Sequence, residues 1–324
     1  MTVTAAARRQ ATRVIPGNQT RQEHGGLLLD WAVRRLIINA DDLGLTAGVN
    51  RAILECWRNG IVTSATLMAN GRAFAEAASA VREPAASRAL GVGCHLGVVD
   101  GRPVLPPDQV SSLLADGTGE FRRSLVPLAR AASLGQLRAV EVEAEMIAQI
   151  RALQSAGVRL SHVDAHKHAH MFPALLAPML RAARACGVGA VRNPFEPPRP
   201  LPCRMLLARP SLWKRWAEVK ALRALEKSFR RAVADSGLAT ADGTLGIMAT
   251  GLLEPELFAA LLAAMPDGTW ELCCHPGYDD TELAGVRTRL RQSRERERQL
   301  LTSARAREVL ARHDVELINY WSLQ

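Results

Sequence analysis

Long apolar runs are absent from this 324-residue chain. No window approaches the 18 or so consecutive apolar residues of a transmembrane helix. The start, MTVTAAARRQATRVIPGNQTRQEHGG, lacks the unbroken apolar core of a secretory signal, so the expectation is a protein kept inside the cell. Cysteine is sparse and unpaired in pattern. Six residues (Cys56, Cys94, Cys186, Cys203, Cys273 and Cys274) form neither a CxxC motif nor a disulfide framework, and reduced, mostly packing thiols are expected. Aromatic residues make up only 4%, with two tyrosines, too few for a base-stacking surface.

What the chain has is a hydrophobic content of 48%, enough for a large core, and a formal charge of +9 that favours an anionic surface or partner. Residues 1–32, rich in Ala, Thr, Arg, Gln and Gly without an apolar period, read as a mobile extension. From Arg34 onward, β-branched runs alternate with helical stretches. The strands expected are RLIIN (35–39), IVTSATLMA (61–69), LGVGCHL (90–96), RLSHVD (159–164), GAVRN (189–193), TLGIMA (244–249), WELCCH (270–275) and VELINY (315–320). Seven or eight strands with crossover helices over residues 33–324 suit one distorted (β/α) TIM-like barrel; a doubly wound sheet is the competitor.

Polar residues able to bind a cation stand where apolar strands stop: Asp41 and Asp42, His95, Asp164 and His166, and His275. In a barrel such strand ends meet at one mouth. Adjacent carboxylates at a strand end can divide two tasks, one holding a cation and the other the proton of a water. An Asp and two His leave a coordination position open for that water. Taken singly these residues are ambiguous: the Asp pair can cap the following helix, and a lone His can simply pack. Four histidines within HVDAHKHAH are hard to read as packing, and His168 or His170 can substitute for His166 as a ligand.

The motifs NADDLGLTAGVNRAI, NGIVTSATLMANG, GCHLG, HVDAHKHAHMFP and CHPGYDD, in this order between about Arg35 and Asp280, resemble those of the YdjC-like carbohydrate deacetylases. The sequence is most similar to the branch associated with hopanoid biosynthesis. The resemblance implies a divalent metal held by Asp42, His95 and His166, with Asp41 as general base, His275 as general acid and Arg192 orienting the base. Zinc suits such a site, and Mg, Mn, Co or Ni are admissible. Asp164 and His170 are expected to support the ligands from behind. The activity implied is removal of an N-acetyl group from an amino sugar, N-acetylglucosamine linked to a hopanoid lipid, with release of acetate.

Residues 201–235 carry nine Lys or Arg against three acidic residues and depart from the barrel rhythm. Leu212, Trp216, Val219, Leu222, Leu225, Phe229 and Val233 recur at helical spacing, which predicts one amphipathic helix in an insertion of about 200–236. Leu212, Trp213, Lys214, Arg215 and Trp216 are the expected contacts with an anionic membrane or lipid, which would place the protein on the inner face of the cytoplasmic membrane. An ordinary solvated barrel helix is the alternative. The later Arg-rich stretch, residues 287–313, reads as a surface helix with internal ion pairs. Two competing functions are a metal-dependent phosphoester hydrolase and a nucleic-acid-binding protein; the latter leaves the strand-end Asp and His residues unexplained. A homo-oligomer is compatible with the sequence.

Overall fold

The computed structural model describes residues 33–324, so the expectation for residues 1–32 lies outside the described residues. Seven parallel strands form the sheet: β1 (Arg34–Leu43), β2 (Ser64–Leu67), β3 (Gly91–Leu96), β4 (His162–Ala165), β5 (Gly243–Leu245), β6 (Gly268–Cys274) and β7 (Val315–Ile318). Their order is β4-β3-β2-β1-β6-β5, with β7 beside the first half of β1 and β2 beside its second half. The stretch 190–195 spans the two edges. Val163 bridges Val191, Ala190 bridges Ala239, and the Thr244 amide donates to the Phe195 carbonyl. The sheet therefore curls into a distorted (β/α) barrel. GAVRN, expected as a full strand, contributes only single bridges.

Strand alternation separates two environments. Leu36, Ile38 and Ala40 of β1, Ala65 and Leu67 of β2, Val92 and Cys94 of β3, and Leu272 of β6 face outward into the core under the helices. Burying each large aliphatic side chain there stabilises the fold by roughly 1.5–3 kcal/mol. The inward positions are polar instead: Asn39, Asp41, Thr66, His95, His162, Asp164, Arg192 and Glu271 are all buried. Low in the barrel, Tyr320, in the turn Tyr320–Leu323, stacks on His162 with ring centroids 3.5 Å apart and donates its hydroxyl to Glu271. An interior of this kind persists only if its charges are paired, and its upper end holds the strand-end residues of interest.

The 201–235 segment is not one helix. It comprises the helix Cys203–Ala208, a 3-10 turn Pro210–Leu212, the helix Trp213–Leu222, a turn Arg223–Leu225 and the helix Glu226–Ser236. Its apolar stripe is divided accordingly. Leu212, Phe229 and Val233 are buried against the barrel, whereas Leu207, Trp213 and Trp216 are exposed. Leu212, fully buried, is thus corrected from a membrane contact to a core residue. Arg215 is partly withdrawn as well, since its guanidinium donates to the carbonyls of Met248 and Thr250. Among the described residues no helix is long and apolar enough to cross a membrane.

Candidate metal centre

The Asp pair sits where β1 breaks its pairing. The register with β2 shifts between Ala40 and Leu43, and Asp42 adopts a left-handed φ of 69°. In regular strand geometry neighbouring side chains point to opposite faces. The bulge removes that alternation, so both carboxylates reach the mouth while the chain passes on through Gly44 (φ 90°). Helix capping falls to Thr46, whose hydroxyl accepts from the Val49 amide, so the alternative reading of the Asp pair as caps does not apply.

Asp42 Oδ1 lies 3.4 Å from His95 Nε2 and 3.2 Å from His166 Nδ1, and the two imidazole nitrogens are 3.2 Å apart. Bonds of 2.0–2.1 Å at tetrahedral angles would separate ligand atoms by about 3.3 Å, so the triangle matches a zinc-sized ion. Asp42 Oδ1 is buried and has no hydrogen-bond partner, which suits an atom able to ligate a cation. Burial would disfavour its charge, yet Arg294, His166 and His95 hold the Asp42 carboxyl well below the usual carboxylate range. The three residues, predicted as the ligand set, are brought together and fit a divalent ion of borderline softness.

The supporting contacts follow. His95 Nδ1 lies 2.7 Å from Asp164 Oδ1, and Thr66 Oγ1 touches both groups. Against the effect of burial, Asp164 and Asp42 push the His95 pKa up to about 10. Asp164 thus stands where a partner fixing the His95 tautomer is expected. His170 does not contact a ligand imidazole: the chain turns through left-handed Lys167 and His168, and His170 Nε2 lies 3.2 Å from the Arg192 carbonyl. The placement of His170 behind the metal ligands is therefore corrected; it supports the Arg192 backbone.

Arg192 is fully buried and spans three carboxylates. Its NH1 and NH2 donate to Asp41 Oδ2 and Oδ1 at 2.8 and 2.6 Å, its Nε donates to Glu271 at 2.8 Å, and its NH1 lies 2.5 Å from Asp164. Burial opposes ionisation of Asp41, but the paired guanidinium outweighs it and keeps the carboxyl well below its ordinary range. His275 Nε2 stands 3.9 Å from Asp41 Oδ2, and burial pushes the His275 pKa down to about 4. The Cys273 thiol also donates to Asp41 Oδ2, at 3.3 Å.

Besides Thr66, Glu271 and Cys273, which the strand ends bring in, two residues from a distant helix escaped the sequence reading. Arg294 is buried and donates to Asp42 Oδ2 at 2.5 Å, and Glu297 accepts the His275 amide at 2.6 Å. Both belong to the Arg-rich stretch expected to be a surface helix, which is in fact two helices, Gln292–Thr302 and Ala304–Arg312, the first with one face in the site.

Fold and site together define an α/β-barrel protein with a candidate metal centre at the carboxyl ends of its strands. The model of the YdjC-like protein family matches residues 35–312, and the chain belongs to that family. It is 27% identical to a carbohydrate deacetylase of Thermoanaerobacter pseudethanolicus, across 89% of this chain and 98% of the relative. It is 32% identical to a carbohydrate deacetylase of Geobacillus stearothermophilus, across 89% and 97%. A crystal structure of an Enterococcus faecalis protein, provisionally named for cellobiose-phosphate cleavage, aligns with a TM-score of 0.70 at 28% identity, covering 90% of this chain and 99% of that one.

Proposed function

We propose that this chain is a metal-dependent carbohydrate deacetylase that hydrolyses the N-acetyl group of an amino sugar, with Asp42, His95 and His166 as metal ligands. Carbohydrate deacetylation is the activity of the full-length relatives by name. The observation that carries the metal-dependent reading is the triangle of Asp42 Oδ1, His95 Nε2 and His166 Nδ1, with an orphaned carboxylate oxygen. A divalent ion bound there would supply Lewis acidity to the acetamide carbonyl and lower the pKa of a water.

The chain's own residues handle the protons. Asp41, ionised and fixed by Arg192, accepts a proton from the attacking water as the C–O bond forms. A carboxylate held at such low pKa is a weak base, so the proton must pass on. His275, neutral near pH 7 and 3.9 Å away, is placed to relay it to the sugar nitrogen as the C–N bond breaks. Acetate and a free amine result.

The finer reading, N-acetylglucosamine linked to a hopanoid lipid and reached from the inner face of the cytoplasmic membrane, draws support from motif resemblance and from an exposed patch. Leu207, Trp213 and Trp216 are exposed beside Lys214, and Lys220 Nζ lies 4.7 Å from the Trp216 ring centre. The test is acetate release from a soluble N-acetylated chitooligosaccharide and from an N-acetylglucosaminyl lipid, each with chelator and with zinc restored. Chelator-insensitive release overturns the metal reading. Phosphate release from a phosphoester without acetate release would favour the alternative hydrolase. Equal turnover of both substrates, unchanged when Trp213 and Trp216 become Ser, would overturn the lipid reading.

A further inference from the structure

Beside the residues that reach Asp42, the helix Gln292–Thr302 begins in a cleft of about 630 Å³. Arg215, Arg289, Arg291 and Arg296 line it, with Asp279 as the carboxylate in the lining. Asp279 is already engaged by Arg291, at 2.9 Å. Arg289 and Arg296 have no ion-pair partner among the described residues, and Arg289 lies near enough to Arg215 to help lower its pKa after burial. Guanidinium groups gathered without matching carboxylates repel one another, a cost that a bound anion would remove.

A second feature points to the same ligand. The helix has 11 residues, and its N-cap residue, Arg291, makes no side-chain cap bond, so the positive end of the helix opens toward the cleft. Ser293, in the first turn, lines the cleft at 8% exposure, and its hydroxyl has no hydrogen-bond partner. A buried hydroxyl without a partner is costly unless a ligand or water completes it. Gly251 forms part of the lining with a left-handed φ of 74°, and a Cβ there would lie 2.7 Å from Leu290 Cδ2 and 3.6 Å from Ser293 Oγ. A side chain at Gly251 would thus intrude beside the serine.

We infer that this cleft is a binding site for a phosphate-class oxyanion, recognised by Arg289, Arg296 and Arg215 with the Ser293 hydroxyl and the helix N-terminus. Its position is specific: Arg294, the next residue, donates to Asp42, and the Arg294 carbonyl accepts the Gly277 amide of the CHPG turn. An oxyanion held here sits one residue along the helix from the arginine that grips the metal-facing carboxylate. The inference does not depend on the deacetylase reading, because binding can be measured without turnover.

The test is calorimetric titration of the full chain with inorganic phosphate in physiological salt, before and after treatment with chelator. Saturable binding is expected in both conditions, since an anion bound to a metal ion would be lost with the ion. Arg289→Ala and Arg296→Ala should each weaken it about tenfold, and Ser293→Ala should weaken it severalfold, as lost charge-assisted and neutral hydrogen bonds do. Circular dichroism establishes that each variant is folded. Absence of binding in the folded wild-type chain, loss of binding with chelator, or affinities unchanged in all three variants would overturn the inference. Two further arms identify the source. Competition by glucose 6-phosphate points to a soluble phosphomonoester, and Arg289-dependent binding to phosphatidic acid vesicles but not phosphatidylcholine vesicles points to a lipid headgroup; failure of both overturns the site.

Discussion

Arg294 and Asp42 are 252 positions apart in sequence, yet the guanidinium NH2 of one donates to Oδ2 of the other at 2.5 Å, while the remaining oxygen of Asp42 faces His95 and His166. One carboxylate is thus gripped from behind and free in front. Arg294→Ala should lower metal affinity about 10- to 100-fold, the usual cost of losing a contact that orients a ligand. Lysine at the same position, with one charge but no planar fork, should recover part of it. Metal titration monitored by calorimetry checks both; full affinity in a folded alanine variant would mean that Asp42 is fixed by its backbone alone.

As the proposed base, Asp41 should separate binding from turnover. Asp41→Asn keeps size and leaves Arg192 paired with Glu271 and Asp164, so the interior stays compensated. The amide cannot accept the water's proton. Metal content near wild type with turnover reduced by about 10²-fold or more is expected, in the range of positioned acid–base catalysis. Comparable turnover in the folded variant would remove Asp41 as base.

His275 should give a different signature, because its proposed role is at the leaving nitrogen. In His275→Ala the loss on an N-acetylated sugar should be about 10²- to 10⁴-fold, whereas an acetanilide with an acidic leaving amine should be affected far less. Equal losses on both substrates would indicate that the imidazole acts elsewhere in the reaction.

The convergence of strand-end donors was legible in the sequence because each lies at or just past the end of an apolar strand: Asp42 near the end of β1, His95 near the end of β3, His166 after β4, His275 after β6. Their convergence needs only parallel strands in a closed sheet. The bulge that turns Asp42 toward Asp41 was not legible, since nothing in the side chains of NADDLG distinguishes it from a cap and turn. Arg294 and Glu297 were hidden for another reason. In QSRERERQLLT the charges surround the whole helix, and a charged helix reads as solvated until a partner is seen. For residues 201–235, spacing suggested one apolar stripe, but the turns at 210–212 and 223–225 divide it between core and surface.

Gly93 and His162 share a space with no room for a methyl group. A Cβ on Gly93 would meet His162 Cε1 at 2.5 Å, and the other side of the ring is covered by Tyr320. The ring is held in place also by the Ser161 hydroxyl, 2.9 Å from Nδ1. Gly93→Ala should therefore destabilise the barrel by about 1–3 kcal/mol, the ordinary cost of overpacking. A denaturation midpoint unchanged from wild type would show that His162 and Tyr320 can shift together.

The same histidine makes stability depend on acid. Burial pushes the His162 pKa down to about 3 from an ordinary value of 6.5, and its Nε2 has no hydrogen-bond partner. The unfolded chain therefore binds a proton at this residue that the folded chain refuses. His162 contributes stability fully above pH 6.5, and this contribution falls by about 1.4 kcal/mol per pH unit as the pH drops from there toward 3. Glu196 and Glu297, whose burial raises them to about 7, act in the opposite direction as the pH falls from 7 toward 4.5. They are present in both wild type and a His162 variant, so they cancel in the comparison. His162→Phe removes the titrating group while keeping an aromatic ring against Tyr320. Whatever its absolute stability at pH 7, the variant should lose about 1.4 kcal/mol less than wild type for each pH unit between 6 and 4. Urea unfolding at several pH values measures the difference, and parallel curves for the two proteins would mean that the His162 ring takes up its proton without leaving the folded barrel.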